Sequence, residues 1–311
     1  MTSVTTTTEP GPVERAEASE PAMAREVAHG RGLAGGGRYV CVIDRSSDSI
    51  RARVREALQW RDLLWMLVQR DIKVRYRQTA FGVIWAVLVP LMTMGVYWLV
   101  FDRLGRIGPE GMPYPLFLFP AMLAWNYFQS ATGRASNALK QDATILSKVY
   151  FPRLLLPISN ITSPLVDFGI GLVLLAVILA IYRHPPTWAM AAMPVYLALA
   201  MVSAAGMGLG LSVLNAHYRD VGHFLPVMLH LWFFFSPVLY STTDLVPEQY
   251  RLVYALNPMV TACEGVRGCM LGMPVAVTVE MALVSSGVAA AMLVGGLWTF
   301  MRLEQTVTDV I

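Results

Sequence analysis

The chain has 311 residues, of which 55% are hydrophobic and only 14% charged, and its mean hydropathy is +0.51; ordinary soluble domains carry roughly a quarter charged residues. That balance excludes a soluble globular protein, because so much apolar surface cannot be buried in a core of its own and the bilayer must act as its solvent. A formal charge of +3 gives no argument for nucleic acid, and Cys41, Cys263 and Cys269 make neither a disulfide framework nor paired zinc ligands.

In chain order, residues 1–50 come first, with a threonine run (Thr5 to Thr8), scattered Glu and Arg, and a glycine cluster up to Gly37. They read as a disordered cytoplasmic tail. The apolar stretch Val40 to Ile43 is shorter than the roughly 7–15 residues of a secretory h-region, so no cleaved signal is expected. The stretch 57–78 is amphipathic at helical spacing, with Trp60, Leu63, Leu64, Leu67, Val68 and Val74 on one side and Asp62, Gln69, Arg70, Lys73 and Arg77 on the other. This pattern predicts a helix lying in the membrane interface; a plain topogenic anchor has the same composition.

Six apolar spans follow, at about 80–101, 114–131, 158–182, 188–214, 224–240 and 275–301. A hydrocarbon layer of about 30 Å needs about 20 helical residues. Asp167 and Glu280 are the charged residues within these spans, and unpaired backbone groups are too costly in lipid for anything but helices here. Orientation follows from Arg and Lys. One side holds eight in 51–78, four in 132–157, then Arg219 and Arg302; the other holds Arg103, Arg106, Arg183, Arg251 and Arg267. The excess predicts both termini inside. Segment 241–274 is interrupted by Pro247, Pro258, Gly265, Gly268, Gly272 and Pro274 and reads as short re-entrant helices in the outer leaflet. The predicted fold is therefore an all-α integral membrane protein with six transmembrane helices, an amphipathic interface helix before them, and a broken outer segment between spans five and six.

Several groups invite a functional reading. In the loop 132–157, Lys148, Tyr150, Phe151, Pro152 and Arg153 place two aromatics and two cations on a short exposed turn, the composition of a protein contact; an aromatic belt residue pair has the same look. Aromatic residues crowd the ends of several spans, where most serve packing or the belt, although flat rings facing a pathway could stack on sugars. Asp167, nine residues into its span, is a candidate ion or proton relay, but without a basic partner in any span it reads more simply as protonated or bonded to Thr162 or Ser163. Glu264 and Arg267 form a local i,i+3 pair. His217, His223 and His230 are not spaced as metal ligands on one turn. Gly206 and Gly210 give a GxxxG pattern suited to close helix packing. None of the three lysines follows a glycine, so the chain carries no GxxxxGK[ST] phosphate loop.

The run Arg70-Asp71-Ile72-Lys73-Val74-Arg75-Tyr76-Arg77-Gln78 with Phe81-Gly82 and Trp85 resembles the approach to the first span of type-2 ABC transporter permeases that export polysaccharides, O-antigen and teichoic acids, the Wzm-like group. The match continues in order through Lys148 to Arg153 with Pro157, Val166-Asp167-Phe168, Tyr218-Arg219-Asp220-Val221, Phe235-Ser236-Pro237-Val238, Asn257-Pro258, Glu264-Gly265 and the terminal Thr308-Asp309-Val310-Ile311. It covers about residues 57–311.

The resemblance implies a half-transporter of the bacterial inner membrane: two copies form a channel for a lipid-linked glycan, and two separate ATPase subunits bind ATP and magnesium beneath it. It implies no enzyme activity and no cofactor in this chain. Lys148, Tyr150, Phe151, Pro152 and Arg153 would couple to the ATPase. Trp60, Arg70, Asp71, Lys73, Arg75 and Arg77 would belong to the interface helix, and Asn257, Pro258 and Glu264 to the outer gate. Because the first and fifth spans line the channel in that family, Trp85, Tyr97, Trp98, Phe101, Trp232, Phe233 and Phe235 become its candidate aromatics. The ending from Leu303 to Ile311 departs from the family's more basic and aromatic terminus. An ABC exporter of a small lipid or drug is the alternative. A membrane glycosyltransferase would need paired catalytic acids, and an ion-coupled carrier several intramembrane charges; the sequence supplies neither.

Overall fold

The computed structural model describes residues 59–77, 84–105, 111–143 and 151–310. The expected tail, the motif residues Gln78, Phe81 and Gly82, and Lys148 and Tyr150 of the coupling turn lie outside the described residues. Among the described residues every regular element is helical.

The elements are α1 (Arg61–Arg77); α2 (Ile84–Tyr97), which widens into π-helical turns over Trp98–Leu104; α3 (Tyr114–Gln141); α4 (Leu155–Thr162); α5 (Pro164–Ile181); a 3-10 turn Trp188–Ala192 leading into α6 (Met193–His217); α7 (Arg219–Phe234); α8 (Thr242–Leu245); a 3-10 turn Glu248–Tyr250; α9 (Arg251–Tyr254); α10 (Pro258–Leu271); and α11 (Val279–Val310). Among the described residues four stretches are long and apolar enough to cross a membrane: Ile84–Leu104, Leu155–Ile181, Trp188–His217 and Val279–Glu304.

Several boundaries differ from the apolar spans, for local reasons. The second apolar span ends at about 131, but α3 runs on to Gln141, a helix of 28 residues and about 42 Å. No proline falls between Thr132 and Gln141, Gly133 is tolerated inside the helix, and Ala135, Ser136, Ala138 and Leu139 remain buried there. The third span begins early, at Leu155, and is divided at Ser163 because Pro164 cannot donate its backbone hydrogen bond. The helix of the fifth apolar span, α7, starts at Arg219 and stops at Phe234, after which residues 235–240 form turns that lead into the outer segment.

The core is built around α3, whose Leu118, Phe119, Met122, Trp125 and Phe128 are fully enclosed. By contrast no residue of α2 is buried within the chain. Helix α6 packs against both α3 and α11. Gly206 of α6 and Gly296 of α11 let those backbones touch, since a Cβ on either would overlap the facing main chain; Gly210 of the GxxxG pattern likewise lies beside Gly296. The broken segment 241–274 resolves into α8, α9 and the wholly buried α10. Gly272, at φ +61°, ends α10 in the left-handed conformation that glycine adopts without strain.

Candidate functional site

Three arrangements concentrate the polar chemistry of the chain: a bracket on the side of α1, a cavity under α2, and a clasp around α10.

The bracket begins with the apolar face of α1. Leu67 and Val68 are buried, and Leu67, with Leu63 and Leu64 beside it, packs into a cluster with Leu139, Phe151, Leu154, Leu155, Leu156 and Phe300. Trp60 and Val74, which share the sequence face, stay exposed, as do Trp65 and Met66. Seating that face brings Arg70, Asp71, Arg75 and Tyr76 beside neighbouring helices. Arg70 bridges Asp71 (2.8 Å) and Asp142 at the end of α3 (2.7 Å), and Ser159 of α4 donates to Asp71 at 3.2 Å. Burial alone would lower the Arg70 pKa, but the bonds to Asp142 and Asp71 outweigh it and raise the value. Arg75 pairs with Asp167 of α5, and the Tyr76 hydroxyl donates to the same carboxylate. Lys73 is exposed, and Arg77 closes the helix.

Asp167 therefore has a basic partner after all, supplied by α1 rather than by another span. Ser163 instead accepts from Arg134 at 3.4 Å, and Thr162 donates to its own helix at Ile158. Periodicity within one span cannot reveal a partner 92 residues away.

In the turn expected to couple to an ATPase, Phe151 differs from its sequence reading as exposed. Phe151 is only 6% exposed, inside the cluster with Phe300, while Pro152 and Arg153 are half-buried. Arg153 donates to the Glu304 carbonyl of α11, and His217 Nε2 meets Thr306 Oγ1 at 2.8 Å. The last helix thus braces the turn at Arg153, a contact that its unremarkable sequence did not signal. Asn215 is a second missed residue: it accepts from Lys140 Nζ at 2.7 Å and donates to Ser136 O and Asn137 Oδ1, tying α6 to α3.

Between α2, α3, α5 and α7 lies a cavity of about 640 Å³, within the usual range for small-molecule sites. Trp85, Val89, Thr93 and Tyr97 of α2 form one wall, Asn126, Gln129 and Ser130 of α3 another, and Arg75, Tyr76 and Asp167 line one end. His230 and Phe233 of α7 also face it. Of the seven aromatics marked by resemblance, Trp85, Tyr97 and Phe233 line this cavity. Tyr97 stacks on Phe233 with centroids 5.4 Å apart, and Phe233 meets Trp125 edge-on at 5.7 Å. Trp232 packs on Phe128, Phe101 meets Tyr97 edge-on, and Arg103 lies over Trp98. Phe235 is 70% exposed, outside the cavity.

The clasp is centred on a pair that sequence spacing presented as merely local. Glu264 and Arg267 are bonded at 3.0 Å with both side chains 4% exposed. Arg267 also donates to the carbonyls of Pro237 (2.7 Å), Val238 (2.8 Å), Phe117 (3.1 Å) and Tyr240 (3.2 Å), and its guanidinium lies 3.8 Å from the Phe117 ring centre. Glu264 Oε1 accepts the Thr242 amide at 2.7 Å. One arginine thus satisfies the turn after α7, the start of α3 and its own carboxylate partner, which keeps a buried charge tolerable. Asn257 caps α10 by accepting the Met259 amide and donates to Ser236, with Pro258 in the first helical turn. Among the described residues no group of three or more His, Cys, Asp or Glu could hold a metal ion.

Among the described residues the chain is a bundle of helices, four stretches of which are long and apolar enough to cross a membrane, the architecture of a multi-pass membrane protein. The ABC-2 type transporter description matches residues 62–271, and the chain belongs to that family. It is 36% identical over 210 residues, covering 67% of this chain and 80% of the relative, to the O-antigen export system permease protein RfbA of Myxococcus xanthus. A Klebsiella pneumoniae protein of the same name is 27% identical over 202 residues, 64% of this chain and 76% of the relative. The polysialic acid transport protein KpsM of Escherichia coli is 22% identical over 210 residues, 64% of this chain and 77% of the relative.

Proposed function

We propose that the chain is the membrane subunit of an ATP-driven exporter that moves a lipid-linked polysaccharide across the bacterial inner membrane. Two copies form the pathway, and two ABC ATPase subunits, which carry ATP and magnesium, drive it; the role of this chain in that cycle is to bind and move the glycan, not to change its covalent bonds. Each copy has six spans with both termini inside, α3 and α7 completing the set of crossing helices and α1 lying along the inner surface. The observation that carries this reading is the 36% identity to a permease named for O-antigen export, in a chain whose family match takes in α1 through α10. The names of the three relatives favour a glycan over a small lipid or drug.

In this mechanism the ATPase engages the turn around Lys148, Tyr150, Phe151, Pro152 and Arg153. Because Phe151 is buried with Leu67 of α1 and Phe300 of α11, a push on the turn reaches both helices. Arg70, Arg75 and their carboxylates pass the movement to α3 and α5, so closure of the ATPases biases a two-state membrane element. Asn257, Pro258 and Glu264 hold the outer end, and the aromatics Trp85, Tyr97, Trp98, Phe101, Trp232, Phe233 and Phe235 meet sugar rings during passage. The test is a strain lacking this gene: surface glycan should disappear and lipid-linked glycan accumulate inside, and the intact gene should restore export. Normal surface glycan in the deletion strain overturns the proposal.

A further inference from the structure

Asn126, Gln129 and Ser130 occupy one face of α3 at i, i+3 and i+4 spacing, roughly 18–24 Å along that helix. All three are half-buried and line the cavity under α2. Among the described residues none of their side chains makes a hydrogen bond. The contrast along the same helix is sharp. Tyr127 bonds to Ile161 O, and further on Arg134, Ser136, Asn137 and Lys140 are all bonded within the chain. Two amides and a hydroxyl without hydrogen-bond partners among the described residues therefore line one partly open cavity.

We infer that this face is a binding subsite for uncharged, hydroxyl-rich sugar units of the exported chain; the inference rests on the glycan-export reading above. Three features select that ligand class. An acyl chain filling the cavity would leave the amides of Asn126 and Gln129 unpaired in an apolar medium, which is unfavourable. A phosphate would find no net positive charge, because Arg75 and Asp167, the charged residues lining the cavity, are paired with each other. A sugar ring supplies what this face of α3 lacks: hydroxyls that both donate and accept for the amides and Ser130. At about 640 Å³ the space admits a short oligosaccharide segment. The subsite lies on α3 inside one copy of the chain, and water occupying it between cycles would hold the same polar groups at little cost and leave readily.

The experiment uses the full exporter with its ATPase partner in sealed inside-out vesicles, with Cys41, Cys263 and Cys269 replaced by Ala and single cysteines introduced as Gln129→Cys or Ser130→Cys. The probe is lipid-free glycan released by mild acid from the host's own envelope, with dioleoyl phosphatidylglycerol as the lipid comparison. A membrane-impermeant charged thiosulfonate should label both positions, and the glycan, not the lipid, should slow labelling at least fivefold. Absence of labelling at both positions, labelling unaffected by glycan, or protection by the lipid alone overturns the subsite. In cells, Asn126→Leu with Gln129→Leu should lower surface glycan at least tenfold at unchanged membrane abundance, with Gln129→Asn largely restoring it; export equal to the parent's overturns the subsite. If instead the unmodified gene fails to restore surface glycan to the deletion strain, it is the export reading that falls.

Discussion

Replacing Arg267 by Met keeps much of the side chain's length while removing its charge, and it tests the clasp directly. The change leaves Glu264 as an unpaired carboxylate, 4% exposed, with only the Thr242 amide for company, and strips donors from the carbonyls of Phe117, Pro237, Val238 and Tyr240. Removing one partner of a buried ion pair costs about 3–5 kcal/mol, and the orphaned carbonyls hold the estimate at the upper part of that range. At ~2 °C per kcal/mol for a chain of this size, a loss of about 4–5 kcal/mol should lower the apparent midpoint of thermal unfolding by about 8–10 °C. Glu264→Gln preserves an acceptor for Thr242 and removes one charged hydrogen bond, a loss of about 1.5–3 kcal/mol. The double variant should be less destabilised than the sum of the two, because the uncompensated charge is gone. Tryptophan fluorescence during heating of the detergent-purified protein measures all three. A loss below about 1 kcal/mol for Arg267→Met, or strict additivity in the double variant, would refute the assignment of these residues to a coupled buried clasp.

Other parts of the structure make separate predictions. Gly296→Leu should lower stability by about 1–3 kcal/mol or more, because the added carbons meet the Gly206 main chain, whereas Gly287→Ala, with open space around it, should be neutral or mildly stabilising in the same melting assay. Phe151→Ala should cost about 3 kcal/mol by emptying the cluster shared with Phe300, and Phe151→Asp should prevent accumulation of the subunit in membranes, as judged by immunoblot. Asp167→Arg alone should cut surface glycan severalfold, while the exchange Arg75→Asp with Asp167→Arg should recover at least half of it; stability should move by only about 1 kcal/mol or less, because the pair is 38% and 22% exposed.

Much of this architecture is legible in the sequence because lipid leaves helices as the only economical option, so every apolar span predicts a helix. Proline and glycine spacing also marks the broken character of 241–274, where α8, α9 and α10 lie. Partners were less accessible. Arg75 with Asp167 and Arg267 with Pro237, Val238 and Phe117 are contacts between distant segments, and helical periodicity reports only which face a residue occupies on its own helix. Phe151 shows the converse limit: a short turn containing aromatics and cations has the composition of an exposed contact, yet the ring fills a gap left by Leu67, Leu155 and Phe300. The polar face of α3 was visible as letters, but whether Asn126 and Gln129 bond to a neighbouring helix or face a space depends on where α2 lies, and sequence alone does not fix that.

In the proposed exporter this chain forms the route and the ATPase subunits supply the energy. The most direct test reconstitutes the purified chain in proteoliposomes loaded with fluorescent lipid-linked glycan on one leaflet, with or without its ATPase subunit. Glycan should cross only when both proteins and hydrolysable ATP are present, in complexes whose mass corresponds to two copies of each. Translocation at the same rate by this chain alone would contradict the account.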